Sequence, residues 1–177
     1  MALAAKLFRF KIELSDLEKS SYRSLDFRVA QHPSETLAYL LTRVFAYALS
    51  YEDGIEFPPG GLSDPDSPAV RVVSRTGDVL VAIEVGNPSA RKIHKVSKAS
   101  KKLKIYTYKD PQVLLNEMAT EQIHRRNEIE IYSIPISFLD RLAEKVKKEN
   151  RWTLIYMDGS IMVNGEDLTE GCEIKRY

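Results

Sequence analysis

Three carboxylates stand around the first long β-rich segment of the chain, where their spacing could form a metal site. Asp64 and Asp66 come directly before the run that begins at Ala69, and Glu84 lies near the end of the next apolar run. If these two runs form a hairpin, the carboxylates come to one edge of a sheet. Two carboxylates and a backbone carbonyl, such as that of Val85, are ligands that suit Mg²⁺, which keeps its other positions for water and a phosphate. The sequence therefore predicts a divalent-metal site with Asp64, Asp66 and Glu84 as candidate ligands.

Glu84 is the most unusual of these acids. It stands in the run Val-Leu-Val-Ala-Ile-Glu-Val-Gly, which is otherwise typical of a central strand. A carboxylate buried in such a strand must be paired, hydrogen-bonded or bound to a metal in order to stay ionised. The alternative to a metal site is a structural ion pair between Glu84 and an Arg or Lys of a helix, because such networks also shelter carboxylates.

A basic segment follows this strand. Residues 91–104 contain seven Lys or Arg and no acid. Such a segment can follow a phosphate backbone and bring an ammonium near the metal, although a merely solvated helix face is the alternative. Helical spacing places one histidine and four basic residues on a common face: Arg91, His94, Lys95, Lys98 and Lys102.

Hydrophobic periodicity predicts the elements that must position these residues. His32-Pro33-Ser34-Glu35 is typical of a helix start, with a capping hydroxyl and with Glu35 in the first turn, where an acid also complements the helix dipole. Proline and glycine over 51–68 predict a long exposed loop. Period-two alternation predicts antiparallel pairs of 2–14 with 22–30, 69–74 with 79–85, and 152–157 with 161–163.

The second half of the chain alternates between helix and strand. This order predicts an α/β (α+β) fold, in which a mixed β-sheet is flanked by helices. The predicted helices are 88–102, 111–124 and 137–148, and the strands between them are 103–108 and 129–134.

Composition is that of an ordinary globular protein. The 177 residues are 44% hydrophobic and 29% charged, which predicts a single domain over 1–177. The net charge of +1 gives no overall attraction to nucleic acid or membranes, so any such attraction must be local. Cys172 is the single cysteine, which excludes an internal disulfide, and the three histidines lack zinc-ligand spacing. The sequence lacks a signal-peptide core and any apolar run of membrane-spanning length, so we expect a cytoplasmic protein without a membrane partner.

Four separated blocks of sequence have a distinctive composition and order: His32-Pro33-Ser34-Glu35-Thr36, Gly61-Leu62-Ser63-Asp64 with Asp66 and Pro68, Ile83-Glu84-Val85-Gly86 with Pro88, and Tyr106-Thr107-Tyr108. These blocks resemble the YaeQ family, in matching order over most of the chain. That family is similar in fold to a compact PD-(D/E)XK nuclease, so the resemblance implies a restriction-endonuclease-like core with extra β-hairpins.

The nuclease pattern assigns roles to particular acids. It has an acid on the first helix, an acid that begins the second core strand, and an acid-x-lysine on the third, which together bind metal and activate water. The resemblance places these roles on Glu35, on Asp66 with Asp64 as a rival, and on Glu84. Gly86 stands where the pattern has its lysine. Either the ammonium comes from the next helix, with Lys95 as the first choice and Lys92 as the second, or catalysis is lost.

The leading hypothesis from the sequence is a nuclease or phosphodiesterase that depends on Mg²⁺ or Mn²⁺. Asp66 and Glu84 hold the ion, Glu35 supports it through water, and Lys95 polarises the attacking water or steadies the phosphate. A catalytically degenerate nuclease fold that binds nucleic acid or protein is the alternative, and a purely structural partner protein is the third. The residues expected to guide a nucleic-acid strand are Arg91, Lys92, Lys98 and Lys102.

Overall fold

The computed structural model describes residues 4–177, which form two mixed β-sheets and four α-helices. The elements in chain order are β1 (Lys6–Asp16), β2 (Ser21–Gln31), α1 (Leu37–Leu49), β3 (Ile55–Glu56), β4 (Val70–Val73), β5 (Val79–Val85), α2 (Ala90–Ala99), β6 (Lys102–Thr107), α3 (Pro111–Thr120), β7 (Glu130–Ser133), α4 (Ile136–Ala143), β8 (Glu149–Met157), β9 (Ser160–Gly165), β10 (Leu168–Glu173) and β11 (Lys175–Arg176).

The first sheet is built on the long β1–β2 hairpin. Its strand order is β10-β9-β8-β1-β2, and the β1–β8 pair is parallel whereas its other pairs are antiparallel. Alternate side chains of β1 face the core, as period-two patterning requires. The buried side chains of β1 include Phe8, Phe10, Ile12 and Leu14.

The second sheet carries the candidate site. Its order is β11-β7-β6-β5-β4-β3, in which β5, β6 and β7 are parallel neighbours and the outer pairs are antiparallel. Parallel neighbours need crossover connections, and α2 and α3 supply them. These helices cover one face of the sheet through a cluster that includes Ile93 of α2, Ile105 of β6 and Leu114 of α3.

Helix α1 lies in the larger core between the two sheets. Its buried apolar side chains, among them Leu41, Val44 and Phe45, belong to the same cluster as residues of β1, β5 and β8. Because α1 is enclosed in this way, the two charged or polar side chains that it buries, Thr42 and Arg43, need partners inside the protein. Within residues 4–177, no helix is long and apolar enough to cross a membrane.

The structure confirms the mixed α+β class and corrects several predicted boundaries. The fold has two sheets rather than one, and β3, β10 and β11 were not predicted. The predicted first strand begins at residue 2, and its residues 2 and 3 lie outside the described residues; the strand itself runs over Lys6–Asp16. The predicted hairpins around residues 74–79 and 157–160 are confirmed.

Two boundary corrections bear on the site. Helix α1 begins at Leu37, and its N-cap is Thr36, whose hydroxyl accepts a hydrogen bond from the N–H of Tyr39 at 3.2 Å. The prediction of Glu35 in the first turn is therefore wrong, because Glu35 precedes the cap. Helix α2 ends at Ala99, and Lys102 begins β6, so Lys102 does not extend the basic helix face.

Candidate functional site

Glu84 lies in the middle of the second sheet, where β4 and β6 flank its strand. Its side chain is almost fully buried, with a relative exposure of 1% for the residue. Oε2 lies 3.1 Å from the ammonium nitrogen of Lys92. Oε1 is buried and has no hydrogen-bond partner among residues 4–177. A buried carboxylate oxygen without a partner is rare and costly, so it indicates a position where a ligand or proton completes the site.

Lys92 is positioned by the first turn of α2. Ser89 caps this helix and accepts a hydrogen bond from the N–H of Lys92 at 3.3 Å. The neighbouring Ile93 and Val96 are buried against the sheet, which fixes the rotation of the helix. The ammonium of Lys92 therefore reaches back to the C-terminal end of β5, and the ion pair considered as an alternative for Glu84 is present.

Gly86 stands two residues after Glu84, at the position where the nuclease pattern has a lysine. Its backbone has a φ of +80°, in the left-handed region that L side chains rarely adopt. Its N–H donates to the carbonyl of Tyr106 at 2.9 Å, which holds the chain in that conformation at the end of β5. A lysine at this position would be strained, although nothing lies within 4 Å of an added Cβ. The cation that contacts Glu84 is Lys92, six positions after Gly86.

Burial dominates the protonation of Glu84. It raises the pKa of the carboxyl to about 7, while the charge of Lys92 and its hydrogen bond act in the opposite direction. The group can therefore exchange a proton near neutral pH, as a general acid or base must. The Glu84 carboxylate also acts on Tyr39. Burial, together with the charge of this carboxylate, raises the pKa of the Tyr39 hydroxyl far above its usual range.

This raised pKa of Glu84 makes stability pH-dependent. The folded state holds the proton more tightly than the unfolded chain, whose carboxyl has an ordinary value of 4.5. The resulting stabilisation of the folded state is complete below pH 4.5 and is lost as pH rises through 7. The free energy of unfolding that is lost in this way is about 3 kcal/mol. Wild type should therefore lose stability relative to Glu84→Gln over this window, as urea unfolding at a series of pH values would measure.

A surface acid provides the control for that measurement. The hydrogen bond from Arg9 lowers the pKa of the exposed Asp26 below its ordinary value of 3.8. The contribution of the Asp26 carboxylate to folding stability is therefore present above pH 3.8 and is lost only in stronger acid. At neutral and mildly acidic pH the curve of Asp26→Asn should run parallel to that of wild type. A Glu84→Gln curve that is also parallel would contradict the raised pKa of Glu84.

Asp64 and Asp66 lie on the exposed loop between β3 and β4. Asp64 accepts hydrogen bonds from the Ser67 hydroxyl at 2.7 Å and from the N–H of Asp66 at 3.0 Å, and the Ser67 bond holds the pKa of Asp64 below its usual value. Asp66 pairs with Lys95 of α2 at 2.6 Å, and both side chains are more than half exposed. An exposed pair of this kind contributes about 0–1 kcal/mol, so it tethers the loop to α2 only weakly.

Glu35 has partners for both of its oxygens. Its Oε1 lies 2.9 Å from Nη1 of Arg43, and its Oε2 accepts the N–H of His32 at 2.9 Å. Arg43 also donates to the carbonyl of Ala30 at 3.1 Å. The side chains of Glu35 and Arg43 are 0% and 5% exposed. Glu35 therefore joins the β2–α1 connection to the helix that follows it.

A small cleft of about 50 Å³ lies between α1, the loop before β4 and α2. It is lined by Tyr39 and Arg43 of α1, by Asp64 of the loop and by Lys92 of α2. Tyr39 and Arg43 were not predicted as site residues from the sequence. The available signal was a pair at i and i+4 in an otherwise apolar helix, where a charged residue is as unusual as Glu84 is in its strand.

The predicted metal ligands are only partly brought together. Within the part of the chain that the structure describes, no three His, Cys, Asp or Glu side chains form a group that could hold a metal ion. The acids that remain as candidate donors are Glu84, which has an unpartnered oxygen and contacts Lys92 at the cleft, and Asp64, which lines the cleft. Carboxylates of this kind are donors that Mg²⁺ accepts, because the ion is commonly held by one or two carboxylates and otherwise by water.

The predicted strand-guiding residues occupy different surroundings. Arg91 and Lys98 are exposed on α2, and Lys102 is exposed at the start of β6. Lys92 is only partly exposed and is engaged with Glu84. Three of the four cations are therefore available at the surface, whereas the fourth lies at the cleft.

Comparison with known proteins agrees with this architecture. The chain is 26% identical over 108 residues to the YaeQ protein of Escherichia coli (strain K12), a match that covers 61% of this chain and 59% of that relative. The crystal structure of a YaeQ protein from Pseudomonas syringae superposes with a TM-score of 0.88 at 26% identity, covering 97% of this chain and 95% of that one. The YaeQ protein from Xanthomonas axonopodis pv. citri superposes with a TM-score of 0.90 at 23% identity, covering 98% of both chains.

The same family appears when the sequence is compared with family profiles. The profile of the YaeQ protein family matches residues 1–174. The chain therefore belongs to the YaeQ family.

Proposed function

We propose that this protein is a phosphodiesterase of nuclease type that depends on Mg²⁺ or Mn²⁺ and has a restriction-endonuclease-like core. The observation that supports the proposal is the unpartnered, buried Oε1 of Glu84, next to an ammonium on its other oxygen. This combination supplies a metal ligand and a cation at one point, as phosphodiester hydrolysis requires.

The chemistry divides among the residues at the cleft. Glu84 and Asp64 would hold the ion, which when bound lowers the pKa of a water and offsets the charge of the phosphate. Lys92 would pair with a phosphate oxygen, and the protonated hydroxyl of Tyr39 would donate a hydrogen bond to another. The attacking water forms the new P–O bond and releases a proton to solvent, the ester P–O bond breaks, and the leaving oxygen takes up a proton from solvent. Exposed Arg91 and Lys98 would attract the nucleic-acid strand.

Titration of Mg²⁺ and Mn²⁺ by calorimetry, with plasmid and single-strand cleavage assays on the same samples, tests the proposal. Glu84→Gln keeps the shape of the side chain and removes its charge, so metal affinity should fall at least about tenfold and cleavage should fall with it. Asp26→Asn removes a carboxylate from the other sheet and should change neither. Metal binding that Glu84→Gln leaves intact, or cleavage that needs no metal, would reject this centre.

A second candidate is a nuclease-like fold that binds nucleic acid without cleaving it. The ion pair between Glu84 and Lys92 and the lack of a three-ligand group among residues 4–177 favour this candidate. It requires salt-sensitive binding of a nucleic acid that persists in Glu84→Gln and weakens when Arg91 and Lys98 are replaced, with no cleavage by wild type.

A further inference from the structure

A second and larger cleft, of about 460 Å³, is lined by residues of both sheets. Its walls include Lys104 and Tyr106 of β6, Glu130 and Tyr132 of β7, and Tyr156 of β8. None of its lining residues lines the cleft beside Glu84. Its volume falls within the range of about 300–1,000 Å³ that is typical of small-molecule sites.

One cation in this cleft, Lys104, makes no direct ion pair with any of residues 4–177. Lys19 pairs with Asp16 at 3.2 Å, and Arg176 pairs with Glu130 at 3.5 Å. Lys104 is partly buried, yet within residues 4–177 its ammonium has no carboxylate within 4.0 Å and no hydrogen-bond partner. Burial lowers the pKa of Lys104 below its ordinary value, although the charge of Glu130 opposes this. An anion beside Lys104 would therefore favour the charged form of the ammonium, which burial disfavours.

The other walls suit an organic ligand with one polar end. Tyr106 and Tyr132 are stacked, with ring centroids 4.8 Å apart, and their hydroxyls bond to Ser50 and Glu130. Leu49 and Ile174 add aliphatic surface. Rings and aliphatic groups of this kind can cover an apolar body while a small number of polar groups fix its orientation.

We propose that this cleft binds a small organic monocarboxylate, with its carboxylate paired to Lys104 and its apolar body against the tyrosine rings, Leu49 and Ile174. A single negative charge matches Lys104, which is the one lining cation without a direct ion pair among residues 4–177. A phosphate monoester would bring a second negative charge close to Glu130 and Glu18, which also line the cleft. Like charges at such a site are unfavourable, so the class of ligand is carboxylate rather than phosphate.

Benzoate is a suitable probe, with benzamide as its uncharged match and inorganic phosphate as the competing class. We expect saturable binding of benzoate to wild type by calorimetry, and much weaker binding of the other two. Benzoate should also slow the acetylation of Lys104 by acetic anhydride, as peptide mass spectrometry would measure. This protection needs no variant, so it tests the site even if a substitution perturbs folding.

Variants then identify the cation. Lys104→Met should weaken benzoate binding at least about tenfold, because it removes a charge-assisted contact, whereas Lys104→Arg should retain most of it. The exposed Lys109→Met, on the loop after β6, should bind as wild type does. Glu84→Gln should also bind benzoate normally, since the two clefts are separate.

Three results would overturn the proposal. They are the absence of saturable benzoate binding, an unchanged affinity in Lys104→Met, and tighter binding of phosphate than of benzoate.

Discussion

Replacing Arg43 by methionine should lower the free energy of unfolding by about 3–5 kcal/mol, because it leaves the carboxylate of Glu35 buried without its counter-charge. Nη1 of Arg43 lies 2.9 Å from Glu35 Oε1, and the Glu35 side chain is fully enclosed. Among residues 4–177, only the N–H of His32 would remain as a hydrogen-bond donor to that carboxylate. The substitution also removes the guanidinium that lies 5.1 Å from the ring centroid of Phe57. Urea unfolding at neutral pH, followed by circular dichroism, measures the loss.

Two further variants distinguish the effect of leaving the Glu35 carboxylate unpaired from the other effects of Arg43→Met. Adding Glu35→Gln to Arg43→Met removes the isolated carboxylate, so the double variant should recover much of the lost stability. Arg71→Met breaks the more exposed Arg71–Glu56 pair, which has a 2.6 Å contact, and should cost less than about 1 kcal/mol. A similar cost for Arg71→Met and Arg43→Met would contradict the assignment of a buried pair at Glu35.

The comparison between Glu35 and Glu84 shows how two buried acids can differ in what they are able to do. Both oxygens of Glu35 have short contacts, one with Arg43 and one with the N–H of His32. Glu84 has one oxygen on a lysine and one without a partner among residues 4–177. A ligand or proton would displace nothing at Oε1 of Glu84, whereas it would have to break an existing contact at Glu35.

Much of the site could be predicted because local patterns determine it. The apolar run on each side of Asp78 fixes the β4–β5 hairpin, and that hairpin places Glu84 in a central strand. A charge in such a run is unusual whatever surrounds it, so Glu84 stands out from the sequence alone. The helix after it was also predictable, and with it the basic side chains of α2.

The remaining features depend on contacts that sequence spacing does not encode. The partner of Glu35 is eight residues away, beyond a helix cap, and Thr36 rather than Ser34 makes that cap. The parallel pairing of β1 with β8 joins distant parts of the chain, and it adds β8, β9 and β10 to the β1–β2 hairpin in the first sheet. Lys104 was one of several lysines in a basic segment, and only the docking of both sheets encloses it in a cleft.

Lys92→Met should reduce phosphodiester cleavage by about 10²–10³-fold, which is the loss expected when a group that stabilises transition-state charge is removed. This expectation rests on the proposed function. Lys95→Met should change cleavage by no more than about fivefold, because Lys95 is exposed and its ion pair is with the exposed Asp66. From the sequence, Lys95 is the first choice for the ammonium and Lys92 is the second, whereas the contact of Lys92 with Glu84 favours Lys92. The two variants test that choice. Initial rates on the same substrate under saturating metal would measure both.

A readout that needs no substrate distinguishes a chemical role of Lys92 from a merely structural one. The charge of Lys92 opposes the rise in the pKa of Glu84, so Lys92→Met should move that pKa above about 7, and NMR of a labelled Glu84 carboxyl would follow it. Lys92→Arg keeps a charge and should limit the change, whereas Lys95→Met should leave the titration of Glu84 as it is. Equal effects of Lys92→Met and Lys95→Met on both cleavage and this titration would mean that α2 acts through its overall charge. In that case the 3.1 Å contact would carry no special role, and Gly86 would mark a site that has lost its lysine without replacing it.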